Sequence, residues 1–144
     1  MHRPDERRTM EIQTVEPREQ TEFFYEIFDA SLPRLGPGDE ASTKRAMDTV
    51  LPAMSPTKGR PLRVLDIGCG NGAGTICVAR HVDGSILAVD NHQPFLDELQ
   101  RRAATAGVSG KIQVACRDMR TLAEDEGPFD LIWSEGAIFI VGFR

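Results

Sequence analysis

The sequence predicts an α/β fold built on a parallel sheet, and three observations carry the prediction. Apolar runs at residues 64–67, 85–89 and 111–116 alternate with segments of helical period. The first run passes directly into a glycine-rich turn, Gly68-Cys69-Gly70-Asn71-Gly72-Ala73-Gly74, that opens a helix. An aspartate stands at or just past each run: Asp66, Asp90 and Asp118. Such alternation implies parallel strands joined by right-handed crossovers.

Each element has its own warrant. Residues 1–20 are polar, mixed in charge and aperiodic, which predicts a mobile tail. From Thr21, read as an N-cap, the residues Phe23, Phe24, Ile27, Phe28 and Leu32 recur at helical spacing. This helix is expected to dock on the domain or to cover its site as a lid. Leu35-Gly36-Pro37-Gly38-Asp39 breaks it, and a second helix is predicted over residues 41–51, burying Ala46, Met47, Val50 and Leu51. Pro52, Pro56, Gly59 and Pro61 form the loop into the first strand. Residues 21–60 thus read as an N-terminal helical cap, and residues 61–144 as the sheet domain. After the glycine turn a short helix spans residues 75–82, ended by Gly84. Pro94 suits the first turn of the next helix, where its missing amide costs nothing. Phe95, Leu96, Leu99 and Ala103 form that helix's buried stripe before Gly107 stops it.

The chemistry follows from the topology. In an open α/β sheet the carboxyl ends of the strands share one rim, so Asp66, Asp90 and Asp118 are expected to face one strongly acidic crevice. Glycines at alternate positions let the backbone approach a nucleotide-like ligand without a Cβ in the way. A pyrophosphate at that turn would be repelled by Asp66. S-adenosylmethionine has no phosphate, and its sulfonium and ammonium are attracted by a carboxylate.

On these residues, positions 62–136 resemble the class I (Rossmann-like) S-adenosylmethionine-dependent methyltransferases of small-molecule type, with residues 64–72 as the first motif. The run Phe129-Asp130-Leu131-Ile132-Trp133-Ser134-Glu135-Gly136 is similar to the family's fourth strand and the segment beyond it, and Gly36-Pro37-Gly38 to an upstream turn. The resemblance implies that Gly68, Gly70 and Gly72, with Asp66, Cys69 and Asn71, wrap the methionine part of the donor. It implies that Asp90, with Asn91 and His92, meets the ribose, and that Asp118 and Met119 meet the adenine. Ser134 and Glu135 would lie near the methionine end or the acceptor. The expected cofactor is S-adenosylmethionine, giving S-adenosylhomocysteine, and the expected partner is a small-molecule methyl acceptor. The family's sheet has more strands, so the fold reads as truncated after the fourth strand. That strand's apolar edge is expected to be exposed, and the chain to be either a fragment of a longer enzyme or a piece that self-associates through that edge.

Composition sets outer bounds. With 144 residues, 40% of them hydrophobic, the chain has material for a core of ordinary size. A formal net charge of −5 argues against nucleic acid as a partner. No run approaches the roughly 18 apolar residues of a membrane span, so a cytoplasmic location is expected. Cys69, Cys77 and Cys116 have no metal-like spacing, and no metal is expected. Catalytic residues are not identified by the sequence: Glu135, His92 and Tyr25 are candidates for a general base if the acceptor needs one. Two alternatives stay open. Gly68-Cys69-Gly70-Asn71-Gly72-Ala73 also fits a looser dinucleotide fingerprint, that of an NAD(P)-binding oxidoreductase. A non-catalytic module holding S-adenosylmethionine is the other.

Overall fold

In the computed structural model the described residues are 17–54, 59–122 and 127–138. Of the tail expected at residues 1–20, residues 1–16 lie outside them, as does the loop residue Pro56; residues 17–20 are helix rather than tail. Four parallel strands form one sheet in the order β3-β2-β1-β4: β1 is Leu62–Ile67, β2 Gly84–Asp90, β3 Ile112–Cys116 and β4 Leu131–Trp133. Val64 to Ile67 of β1 pair with Ile86 to Val89 of β2, while Val64 to Asp66 pair with Leu131 to Trp133 of β4. The strands step outward from β1 to β3, and the chain then returns to lay β4 on the other side of β1. Strand order reverses there, and at such a point an open α/β sheet has its natural crevice.

Helices fill the crossovers. Helix α3, Ala73–His81, joins β1 to β2, and α4, Gln93–Thr105, joins β2 to β3. Both α1, Pro17–Ile27, and α2, Glu40–Ala53, precede the sheet. Helix α2 packs on α3 and sends Met47 into the same buried cluster as Val64, Val78, Ile86 and Leu99. Each such side chain withdrawn from water contributes about 1.5–3 kcal/mol.

Several boundaries differ from the sequence expectation. Helix α1 begins at Pro17, so Thr21 lies inside it rather than at its N-cap; a proline in a first turn loses no hydrogen bond. Helix α2 starts one residue earlier than expected because Asp39 caps it, its carboxylate accepting the Ser42 amide at 2.7 Å. It also runs through Pro52, and the Met54 amide closes its end on the Val50 and Leu51 carbonyls. Gly84 does not end α3. It begins β2, where a Cβ would lie 2.0 Å from the Leu62 carbonyl oxygen, so a side chain is excluded by the neighbouring strand.

The apolar face of α1 is largely uncovered, with Phe23 at 62% and Ile27 at 53% exposure. Helix α1 touches the body through Tyr25, whose ring stacks on His92 at 3.7 Å and meets Phe95 edge-on at 5.8 Å. Along β4, Ile132 is 63% exposed. Among the described residues β4 pairs with β1 alone.

Gly72 is a tight joint in this frame. It caps α3 in the left-handed region at φ 84°, and a Cβ there would lie 2.5 Å from Leu99 Cγ. Gly72→Ala combines left-handed strain with overpacking of α4, and the expected loss is about 2–4 kcal/mol. Urea denaturation of the two proteins checks it; an unchanged midpoint would show that α4 yields without cost.

Candidate functional site

The site is built on the turn from β1 to α3. Gly68, Gly70 and Gly72 all take positive φ, which lets the chain coil tightly over the end of β1. The turn is stitched to β2: the Gly68 and Cys69 amides both donate to the Val89 carbonyl, at 2.8 and 3.0 Å. Asp90 then clamps two loops at once. One carboxylate oxygen accepts the Gly70 amide at 3.0 Å and the other the His92 amide at 3.0 Å. A carboxylate has about four acceptor positions, so capacity remains toward the crevice. Burial raises the Asp90 pKa, opposed by these amides.

Asp66 is 3% exposed and accepts the Thr75 hydroxyl at 2.7 Å. Loss of solvent pushes its pKa up to about 7, the Thr75 bond opposing and the nearby Glu135 and Asp90 charges adding to the rise. Glu135, just past β4, is held from three sides. Arg34 and Thr43 donate to Oε1 at 3.0 and 2.8 Å, and the Trp133 indole donates to Oε2 at 3.1 Å. Gly74 makes this possible, because a Cβ there would stand 2.3 Å from Glu135 Oε2.

A strap, residues 29–38, crosses the glycine turn between α1 and α2. Its carbonyls would be costly to leave unpaired, and two side chains collect them. Asn71 donates to the Ala30 and Leu32 carbonyls at 3.0 and 2.6 Å. The Arg102 guanidinium reaches the carbonyls of Leu32 and Pro33 at 2.7 and 3.0 Å. Leu35 packs over Gly70, and Pro37 against Gly136.

These elements enclose a cavity of about 1040 Å³. Of the residues singled out by the sequence, Asp66, Gly68, Cys69, Gly70, Asn71, Asp90, Asn91, Asp118, Met119 and Glu135 line it. Three do not. Gly72 faces Leu99 behind the turn. Ser134 donates to the Ile67 carbonyl at 2.9 Å and so fastens β4 to β1. His92 is covered by Tyr25 and Phe95, and burial keeps its imidazole neutral to a lower pH than usual.

The crevice is also less acidic than the strand-end aspartates alone imply. Arg120 doubly engages the Asp118 carboxylate, which holds its pKa down at about 2. Arg34 pairs with Glu135, and Asp66 shares its site with a proton near neutrality. Arg117 lines the wall as well. Cys69 is no nucleophile: burial and the neighbouring Asp66 and Asp90 charges raise its thiol pKa far above the ordinary range. The base candidates are all engaged. Glu135 accepts three bonds, His92 is stacked, and Tyr25 donates to Asn91 Oδ1 at 3.4 Å, its pKa raised by burial and by Asp90. Arg34, Thr43 and Thr75 were not visible to sequence reasoning. The first two act across long stretches of chain, and no local pattern marks them.

The geometry is that of an α/β ligand-binding fold whose glycine turn and strand-end acids bound one crevice. Residues 64–142, more than half of the chain, match the family described as Methyltransferase domain, and the chain belongs to that family. It is 30% identical over 114 residues to malonyl-[acyl-carrier protein] O-methyltransferase of Halorhodospira halophila, an alignment covering 77% of this chain and 37% of that protein. Among solved structures, a [4+2]-cyclase, SpnF, is 28% identical with a TM-score of 0.52, covering 62% of this chain and 32% of the other. A methyltransferase from Geobacter sulfurreducens, solved with S-adenosyl-L-homocysteine, shares the fold at 21% identity and a TM-score of 0.65, covering 85% of this chain and 46% of that one. The chain spans between a fifth and somewhat over a third of the length of the curated relatives it matches.

Asp66 makes a measurable prediction. Its folded pKa of about 7 exceeds the ordinary aspartate value. Between about pH 4 and 7 the folded chain therefore holds a proton that the unfolded chain has released, and stability from this group falls as pH rises through that window. Urea melts of the wild type and Asp66→Asn should show the wild type losing ground to the variant from pH 4.5 to 7.5. A constant difference across that range would place Asp66 in a solvated setting.

Proposed function

We propose that this chain binds S-adenosylmethionine and supports transfer of its methyl group to a small-molecule acceptor by in-line displacement. The observation that carries the reading is the row of carboxylates along one rim: Glu135 after β4, Asp66 in β1, Asp90 ending β2 and Asp118 after β3, all lining one cavity. Three strand spacings of about 4.8 Å separate the first from the last, roughly 14 Å. That is the reach of an extended adenosine with an amino-acid tail. On this reading Asp118 and Met119 meet the base, Asp90 and Asn91 the ribose, and Asp66 with the glycine turn the cationic end. Gly72, His92 and Ser134 support the site from behind, and residues 21–60 cap residues 61–144.

Methyl transfer from a sulfonium needs alignment above all, because the leaving group is already activated. The engaged state of Glu135, His92 and Tyr25 fits an acceptor that arrives as a competent nucleophile. The cavity lies at the top of the usual range of ligand pockets, and the acceptor is placed on this reading beside the donor, against Phe24 and Phe28 of α1. No helix among the described residues is long and apolar enough to cross a membrane, and we place the protein in the cytoplasm. Self-association through the open β4 edge belongs to the same proposal. A second reading is a donor-binding module that transfers no methyl group; the likeness to a [4+2]-cyclase supports the part of it that a chain of this fold can act without methyl transfer.

Thermal denaturation with added ligand tests the reading. S-adenosylmethionine and S-adenosylhomocysteine are expected to raise Tm and NAD to leave it unchanged, since a ligand of the native state stabilises it. Asp90→Ala should weaken S-adenosylhomocysteine binding by about 1–3 kcal/mol. Stabilisation by NAD alone would reverse the assignment.

A further inference from the structure

Helix α1 carries more apolar surface than its docking uses. At about 100° of turn per residue, Phe23, Ile27, Phe24, Phe28 and Tyr25 follow one another around an arc of roughly 200°, with Glu22 and Glu26 on the other side. Phe28 belongs to this arc because its amide still bonds the Phe24 carbonyl at 2.9 Å. Docking on a domain takes a stripe of only about 100°. The parts of the arc meet different surroundings. Tyr25, at one edge, is the part that docks, on His92 and Asn91. Phe24 and Phe28, in the middle, line the cavity with ring centroids 4.5 Å apart. Phe23 and Ile27, at the other edge, lie in solvent outside it. Phe24 stays 45% exposed although it belongs to the cavity wall, so the protein itself does not bury that ring.

Resting on the donor reading above, we propose that the methyl acceptor is a molecule with an apolar body of several carbons, aromatic or aliphatic, which lies in the cavity against the Phe24 and Phe28 rings. The chemistry of the wall selects that class. Among the described residues α1 gives the cavity no charged side chain, Glu22 and Glu26 being turned away from it. Its two polar contributions, Gln20 and Thr21, have interactions of their own. The strap adds Leu35 and Pro37, and the cavity's acids come from the strand ends. Apolar surface continues to the glycine turn: a Cβ on Gly68 would stand 2.3 Å from Ala137 Cβ and 3.3 Å from Met119 Cε. A sugar or another polyhydroxylated acceptor would set its hydroxyls against rings that offer them no hydrogen bond, and burying a polar group unpaired is costly. An apolar body instead gains by covering both rings. Phe24 and Phe28 are thereby specificity residues for the acceptor, whereas Tyr25 serves to dock the helix that carries them.

A homologous series of probes tests the class without the natural acceptor. The full chain, saturated with S-adenosylhomocysteine, is titrated calorimetrically with 4-propyl-, 4-butyl-, 4-pentyl- and 4-hexylphenol. Affinity should rise about three- to fourfold with each added methylene, the gain from burying one such group. Phe24→Ser and Phe28→Ser should each weaken 4-hexylphenol roughly 10-fold and change S-adenosylhomocysteine by less than about twofold, which also shows that the variants are folded. Phe23→Ser, on the solvent edge of the same helix, should change neither. Affinity that does not depend on chain length, or a loss as large in Phe23→Ser as in Phe24→Ser, would overturn the acceptor class and leave the donor reading in place. Loss of S-adenosylhomocysteine binding in Phe24→Ser would overturn it too, by giving that ring to the donor. Failure of the wild type to bind S-adenosylhomocysteine at all would overturn both.

Discussion

The turn between β1 and α3 is the constraint on which the rest of the molecule depends. The chain leaves the buried middle of a sheet and starts a helix within a few residues. It does so with three left-handed glycines and with its amides bonded to β2 through the Val89 carbonyl and the Asp90 carboxylate. Because Asp90 also holds the His92 amide, the loops after β1 and β2 share one anchor. The strap lies on this turn, fastened by Asn71 from within it and by Arg102 from α4. The cavity is the space these pieces leave.

Topology turns that joint into a site. Parallel strands send every carboxyl end to the same rim, and the order β3-β2-β1-β4 arranges the acids in a line. Their charges are then edited one by one. Arg120 covers Asp118, Arg34 covers Glu135, and burial leaves Asp66 close to half-protonated at neutral pH. A uniformly acidic crevice would attract any cation. An edited one is suited, on the proposed reading, to an extended zwitterionic ligand.

What the sequence disclosed is local chemistry. The strands, the glycine turn and Asp66, Asp90 and Asp118 were legible because hydrophobic runs, glycine spacing and strand-end acids all lie within short windows. Features made by distant segments were not. Arg34 meets Glu135 across 101 positions, and Thr43 meets it across 92. Gly84 read as a helix stop because glycine often ends helices, whereas the adjacent Leu62 carbonyl is what forbids a side chain there. His92 sits beside Asp90 in sequence, yet the ring of Tyr25 covers it in space. Ser134 follows β4 toward the rim, but its hydroxyl turns back to Ile67. In each case a contact that forms only on folding overrides the local signal.

The central claim is that the rim reads one extended adenosine compound, base over β3 and amino-acid end over β1 and β4. A crystal structure of the chain with S-adenosylhomocysteine tests it most directly. The account places the ribose hydroxyls on Asp90, the adenine beside Asp118 and Met119, and the amino-acid group beside Asp66 and the glycine turn. A ligand bound in the reverse direction, or seated outside the cavity beneath α1 and the strap, would contradict it.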